Sequence, residues 1–281
     1  MNDVHIYSLY SGSTGNAFLI VAGETRFLID AGKNAKALCA ALARCNVDPD
    51  SLCAVFLTHE HGDHTKALPV FLKKHPLPVH LAAACAVPLE ADPVISPLLR
   101  PHAPVYTEVL PGGITVTSFP TPHDSRASVG YRIEIPFESG FFRVGYATDI
   151  GMVTPAVEAG LTGCQAVVLE SNHDPEMLVC GPYPEVLKNR ISSRWGHLSN
   201  PDCAVFAARL CSLGTRSLML AHLSETNNTP EYARGEVEMT VGTGAVHLTV
   251  ADPQEVVEMD LSGCLPGEDL GLCPNPLRTF L

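Results

Sequence analysis

The sequence has no run approaching the roughly 18–20 apolar residues that a membrane-spanning helix needs, so no membrane partnership is expected. Its first residues, "MNDVHIYSLY", lack the basic stretch and apolar core of a secretory signal, and a cytoplasmic location is the expectation. Ten cysteines are present, yet no two are spaced C-x-x-C, and most sit in apolar runs such as "GCQAVVLE". That pattern points to buried, reduced thiols and away from a disulfide framework or a zinc ribbon. Positive charge is also scarce: 18 Lys and Arg stand against 30 Asp and Glu, a net charge of −12. Proteins that grip nucleic acid mainly by releasing its counterions are normally basic. Any polyanion handled here must be held by a local basic patch or by bound metal.

What is present is apolar bulk, 46% of 281 residues, enough for a large α/β core and too much for disorder. "VHIYSLY", "AFLIVA" and "TRFLI" read as strands around the turns "SGSTGN" and Gly23. "NAKALCAALARCNV" has helical spacing, "LCAVFLT" is a short apolar strand, and "TKALPVFLKKH" is a helix that tolerates Pro69 in its first turns. Residues 76–112 are proline-rich with short elements only. Strands return at "ITVTSFP", "VGYRIEIP", "FFRVGYAT", "CQAVVLES", "SLMLAHLS" and "AVHLTVA", with helices at 184–194, 201–213 and about 229–240. Strands and helices alternate in two rounds, which fits two sheets covered by helices on their outer faces. One domain over residues 1–260, followed by a Gly/Pro-rich tail at 261–281, is expected.

The chemistry concentrates in "HEHGDH", His59 to His64. At the turn after a strand, His59 and His61 can point to one metal while Asp63 and His64 turn toward a second. Further candidate ligands end other apolar runs: His123 in "FPTPHDS", Asp149 in "YATDIG" and His222 in "LMLAHLS". Strand ends are where an α/β site collects its side chains. His75, His80 and His102 lie in the proline-rich segment and read as incidental. His5 and His247 alternate with apolar strand residues and read as structural.

These motifs, with "SGSTGNAFLI", "LESNHD", "YPEVLKNRISSRWGHLSN" and "LAHLSETNN", resemble the metallo-β-lactamase fold superfamily, and within it the YycJ/WalJ-like family of small phosphodiesterases. The resemblance covers about residues 4–250. It implies an αββα sandwich of two mixed sheets flanked by helices, two divalent metal ions and nuclease activity, with exonuclease action on DNA ends. It assigns His59, His61 and His123 to one metal, Asp63, His64 and His222 to the other, and Asp149 to both. A set of seven N and O donors suits Zn2+, Mn2+ or Fe2+. Such a site deprotonates a bridging water near neutral pH and polarises the scissile phosphoryl group. Asp30 is expected to orient ligands from behind.

Several branches of the superfamily share this metal loop, so the substrate must be read elsewhere. Thioester hydrolases place the third histidine in a "TPGHT"-like turn, whereas here it stands in "PTPHDS". Diiron oxidoreductases of this fold have glutamate where this chain has His61. The positive signal is "KNRISSRWGHLSN": Lys188, Arg190 and Arg194 form a basic cluster beside His197, and Ser199 opens the next helix as its N-cap. Asp63 and His197 are the candidate catalytic residues; His197, Ser199, Asn16 and Arg194 are the candidate substrate contacts. Ser13 shares the turn with Asn16, and Arg126 follows His123. Glu170 and His173 are expected to support the site without ligating metal. The leading expectation is a metal-dependent phosphodiesterase acting on DNA. A small-molecule thioester or lactone hydrolase is the alternative, and a metal-stabilised binding protein the third. The oligomeric state is left open.

Overall fold

The computed structural model of the chain describes residues 3–266. The chain first lays down β1 (Val4–Tyr10), β2 (Ala17–Ala22) and β3 (Thr25–Ile29), joined by tight turns into an antiparallel meander. Helix α1 (Ala35–Arg44) follows, capped by the Asn34 side chain on the Ala37 N–H, with Leu38 and Leu42 buried. It carries the chain across to β4 (Ala54–Phe56), which pairs parallel to β3. Short helices α2 (Gly62–Thr65) and α3 (Leu68–Lys74) lead to β5 (Val79–Ala82), then α4 (Ala83–Ala86) to β6 (Leu99–His102).

The second sheet opens with β7 (Thr107–Val109), β8 (Thr115–Pro120), β9 (Val129–Phe137) and β10 (Gly140–Ala147), all antiparallel. Helix α5 (Pro155–Leu161) leads into β11 (Ala166–Glu170), and α6 (Pro175–Cys180), α7 (Glu185–Ile191) and α8 (Asn200–Ser212) precede β12 (Ser217–Ala221). Helix α9 (Pro230–Val241) and β13 (His247–Val250) complete the parallel half. β14 (Val257–Glu258) then returns to pair with β1.

Each sheet has seven strands, in the orders β14-β1-β2-β3-β4-β5-β6 and β13-β12-β11-β10-β9-β8-β7. Both are mixed, as the resemblance implied. The larger apolar cluster joins inward residues of both sheets, such as Phe18, Phe56, Tyr131 and Tyr146, with Leu38 and Leu42 of α1 and Phe71 of α3. A second cluster seals α5, α8 and α9 onto the outer face of the second sheet through Leu161, Phe206, Leu210 and Val237.

The proline-rich segment holds more regular structure than its composition suggests, namely β5, β6 and β7. Every cysteine from Cys39 to Cys211 is a free thiol, although Cys180 is exposed where burial was expected. Most of the expected C-terminal tail lies outside the described residues. Among those described, no helix is long and apolar enough to cross a membrane.

Candidate active site

The chemistry-bearing residues gather at the C-terminal ends of strands from both sheets. β3 leads directly into Asp30, β4 runs on to Thr58 and His59, and α2 starts immediately after His61. Backbone bonds lock this loop: the Ala31 N–H donates to the His64 carbonyl (2.7 Å) and the Asn16 N–H to the Asp63 carbonyl (2.8 Å). Gly32 permits the approach, because a Cβ there would lie 1.9 Å from the Asp63 carbonyl oxygen. From the second sheet come His123 after β8, Asp149 after β10, Glu170 at the end of β11 and His222 after β12.

Donor atoms of His59, His61 and His123 lie within 4.8 Å of one another, and so do those of Asp63, His64 and His222. Asp149 stands between these groups. Its Oδ2 is 3.4 Å from His64 Nε2, and its Oδ1 is 3.7 Å from His123 Nε2 and 3.5 Å from His222 Nε2. Asp149 Oδ2 and His222 Nε2 are both buried with no hydrogen-bond partner. Unpaired buried polar atoms are costly and rare. An orphaned nitrogen and an orphaned carboxylate oxygen in one cluster of imidazoles suit divalent cations. The residues therefore fit the metals that the resemblance implied.

The ring nitrogens turned away from the cluster are held. His64 Nδ1 donates to Asp30 Oδ2 (2.8 Å), and His222 Nδ1 to Glu170 Oε1 (3.0 Å). His123 Nδ1 donates to the Gly196 carbonyl (3.2 Å). Thr58 Oγ1, itself donating to both oxygens of Asp30, lies 3.0 Å from His59 Nδ1. Metal-binding histidines are oriented in this way, one nitrogen anchored so that the other faces the ion.

The electrostatics express a demand for positive charge. Burial alone would strip His64 and His222 of their protons. Asp30, Asp149 and Asp63 nevertheless hold His64 well above the ordinary imidazole range, while Asp149, Asp63 and Glu170 push His222 up to about 10. Burial likewise raises the carboxyl groups, but His197 and His222 bring Glu170 down to about 2, and His222 and His64 hold Asp149 well below its usual range. His59, lowered by burial and by the adjacent His64, stays neutral. Cations entering this cluster would replace protons already drawn into it.

Three of these residues sit on left-handed backbone: Asp30 (φ 62°), Asp149 (φ 56°) and His222 (φ 57°). Non-glycine residues enter this region at a cost of order 1–3 kcal/mol, and such strain clusters at functional sites.

Beside the cluster runs a groove lined by Ser13, Asp124, Tyr183, Arg190, His197 and Ser224. His197 enters it with Nδ1 held by Glu170 Oε1 at 2.8 Å, and its Nε2 makes no hydrogen bond among the described residues. The other expected substrate contacts fare differently. Asn16 is fully buried; its amide donates to the Gly12 carbonyl (3.0 Å) and to Asp63 Oδ2 (3.4 Å), so it props Asp63 from below. Ser199 is the N-cap of α8, its hydroxyl spent on Asp202 (2.7 Å). Arg194 is exposed and rests its Nε on Met152 Sδ (3.4 Å). The basic cluster is divided: Lys188 pairs with Glu185 and the Val179 carbonyl, and Arg190 pairs with Asp124 at 2.5 Å. Arg126 is exposed, with its backbone N–H on Glu60. Glu170 touches His197 and His222 as a supporting residue would, whereas buried His173 leaves Nδ1 without a partner. Sequence reasoning passed over Thr58 and Trp195. The latter is 61% exposed, next to groove-lining Gly196, and its carbonyl accepts the Asp124 N–H.

Sandwich and cluster together define a beta-lactamase superfamily domain; the model of that family matches residues 25–223, and the chain belongs to it. Within the superfamily the chain is 34% identical over 242 residues to exodeoxyribonuclease YycJ of Bacillus anthracis, covering 85% of this chain and 89% of that one. It is 31% identical over 229 residues to exodeoxyribonuclease WalJ of Streptococcus pneumoniae, covering 80% and 83%. The YycJ/WalJ family is thus its own. Among solved structures, the metallo-β-lactamase fold protein YhfI of Bacillus subtilis shares the fold, with a TM-score of 0.65 and 18% identity over 92% of this chain and 100% of that one.

Proposed function

We propose that the protein is a dinuclear metal-dependent phosphodiesterase that degrades DNA from its ends. The observation that carries this reading is the convergence of His59, His61, Asp63, His64, His123 and His222 on Asp149, with Asp149 Oδ2 and His222 Nε2 buried and without a hydrogen-bond partner among the described residues. His59, His61 and His123 would hold one cation, Asp63, His64 and His222 a second, and Asp149 would serve both. Zn2+, Mn2+ and Fe2+ all suit these donors. Bound there, such ions supply a water of lowered pKa and neutralise charge on the phosphodiester.

The chain's own groups do the rest. Asp30, Thr58 and Glu170 fix the imidazole orientations. Asp63, whose side chain is 28% exposed, takes a proton from the attacking water as its oxygen bonds to phosphorus. The bond from phosphorus to the leaving oxygen breaks, and His197 Nε2 delivers the proton that this oxygen needs. Glu170 holds His197 by the opposite nitrogen throughout. DNA as the substrate is supported by the names of the two relatives. A reducing cytoplasmic setting is supported by the free thiols, exposed Cys180 among them.

The test is incubation of Zn2+- or Mn2+-loaded protein with end-labelled single- and double-stranded DNA, with progressive shortening from an end expected. Intact DNA in both metal forms alongside cleavage of a thioester or lactone would establish the small-molecule hydrolase instead. The pairing of Arg190 with Asp124 in the groove favours that second reading. Bound metal with no turnover of any phosphodiester, a chromogenic one included, would leave a binding protein.

A further inference from the structure

A second group of donors lies outside this cluster, where the first sheet ends and the second begins. β5 and β6 pair in parallel with His80 opposite Arg100 and Ala82 opposite His102. His102 thus stands two residues beyond the partner of His80, on the same face of the sheet. His80 Nδ1 lies 3.1 Å from His102 Nε2. β7, the edge strand of the other sheet, brings up Glu108, whose Oε1 is 3.6 Å from His102 Nε2 and 3.9 Å from His80 Nδ1. The three donors lie within 4.8 Å of one another.

Aromatic neighbours hold the rings close to each other before any ligand arrives. His80 stacks on Phe56 (centroids 4.8 Å apart, 17° between planes) and His102 on Tyr106 (4.0 Å, 12°), leaving the two imidazoles within 10° of parallel. Burial pushes His80 down to about 4 and lowers His102 as well, so both rings offer lone pairs at neutral pH. One shared proton satisfies the pair of nitrogens but leaves the Glu108 carboxylate against two neutral rings. A divalent cation satisfies all three.

We propose that His80 Nδ1, His102 Nε2 and Glu108 Oε1 form an additional metal site, suited to Zn2+ or a similar divalent transition metal, with water as the fourth ligand. Ligands about 2.0–2.1 Å from a tetrahedral zinc stand roughly 3.3–3.4 Å apart. The distances of 3.1 and 3.6 Å bracket that separation; with ring centroids 5.3 Å apart the two nitrogens point nearly at each other, so both rings tilt toward the ion as Glu108, 33% exposed, turns in as the third ligand. The ion would clip the edge strand of one sheet to the edge strand of the other. Its role would be structural, since the site shares no residue with the His59–His222 cluster.

The test compares the full-length chain with His102→Phe, which keeps a ring to stack on Tyr106, and with Glu108→Gln. Each protein is stripped with chelator, reloaded with Zn2+ and freed of excess, and zinc per chain is measured with Tm in the presence and absence of zinc. Each variant is expected to hold one equivalent less than the unaltered chain and to lose part of the zinc-dependent rise in Tm, with phosphodiester turnover unchanged. Equal zinc content in the unaltered chain and both variants would overturn the proposal. The measurement is a difference, so it stands whatever number of ions the main cluster takes.

Discussion

Glu170 and His197 are joined through one carboxylate oxygen, 2.8 Å from Nδ1 of His197, and the same oxygen lies 3.0 Å from Nδ1 of His222. The other oxygen accepts the backbone N–H groups of Ile150 (2.8 Å) and Leu198 (3.2 Å). A single buried carboxylate therefore sets the angle of a ring in the His/Asp cluster and of a groove-lining ring together. Glu170→Gln has only one accepting oxygen, so its NH2 group must face either the two imidazole N–H groups or the backbone N–H groups of Ile150 and Leu198, donor against donor. Metal affinity is expected to fall about 10–100-fold, as for other residues that support ligands, and kcat to fall even at saturating metal. Competition with a chelator of known affinity, paired with turnover, checks this; unaltered affinity would sink the supporting role.

His197→Ala separates chemistry from metal binding. Its Nε2 faces the groove and its loss leaves the His59–His222 cluster intact, so metal content should be unchanged while turnover drops by roughly 10²–10⁴. Elemental analysis and kcat on a chromogenic phosphodiester are the measurements. Loss of metal in this variant would make His197 a ligand.

Trp195 is the only tryptophan of the chain and stands exposed beside groove-lining Gly196 and His197. Bases stacked on aromatic side chains contribute about 1–3 kcal/mol each. Trp195→Ala should raise KM for single-stranded DNA ends by roughly 5- to 100-fold and leave turnover of a small chromogenic phosphodiester unchanged. Equal losses on both substrates would mean that the ring only supports the loop.

His5 ties β1 to β14. Burial acts to lower its pKa, but Glu258 Oε1 at 2.5 Å and Asp3 Oδ1 at 3.1 Å outweigh burial and raise it above 6.5. A raised folded-state pKa contributes stability that is complete below the unfolded value of about 6.5 and is lost as pH climbs through the folded one. The difference in urea midpoint between about pH 6 and about pH 9 should therefore shrink in Glu258→Gln. NMR titration of the His5 ring should show its pKa falling in that variant.

The convergence of His59, His61, Asp63, His64, His123, Asp149 and His222 was legible because these residue types are rare in such density and because each distant member ends an apolar run. The groove was less so. Nothing local says whether Asn16, in a glycine-rich turn, faces solvent or packs beneath Asp63; tertiary contacts decide it. Lys188 and Arg190 are neighbours in sequence, but only Arg190 lines the groove. α5 and α6 did carry a signal, a capping Thr154 or Asp174 directly before a proline at the first helical position. β5, β6 and β7, three or four residues each, are too short for periodicity to register. The meeting of His80 and His102 carries no sequence signal because it depends on a parallel pairing of strands 22 positions apart.

The left-handed backbone beneath Asp30, Asp149 and His222 sets folding against chemistry at three points of one site. Glycine would sit there with less strain. A library of this chain selected for heat resistance alone would drift first at those positions, and its hardiest members would be inert. Only a demand for turnover would hold an aspartate or a histidine where glycine strains the main chain less.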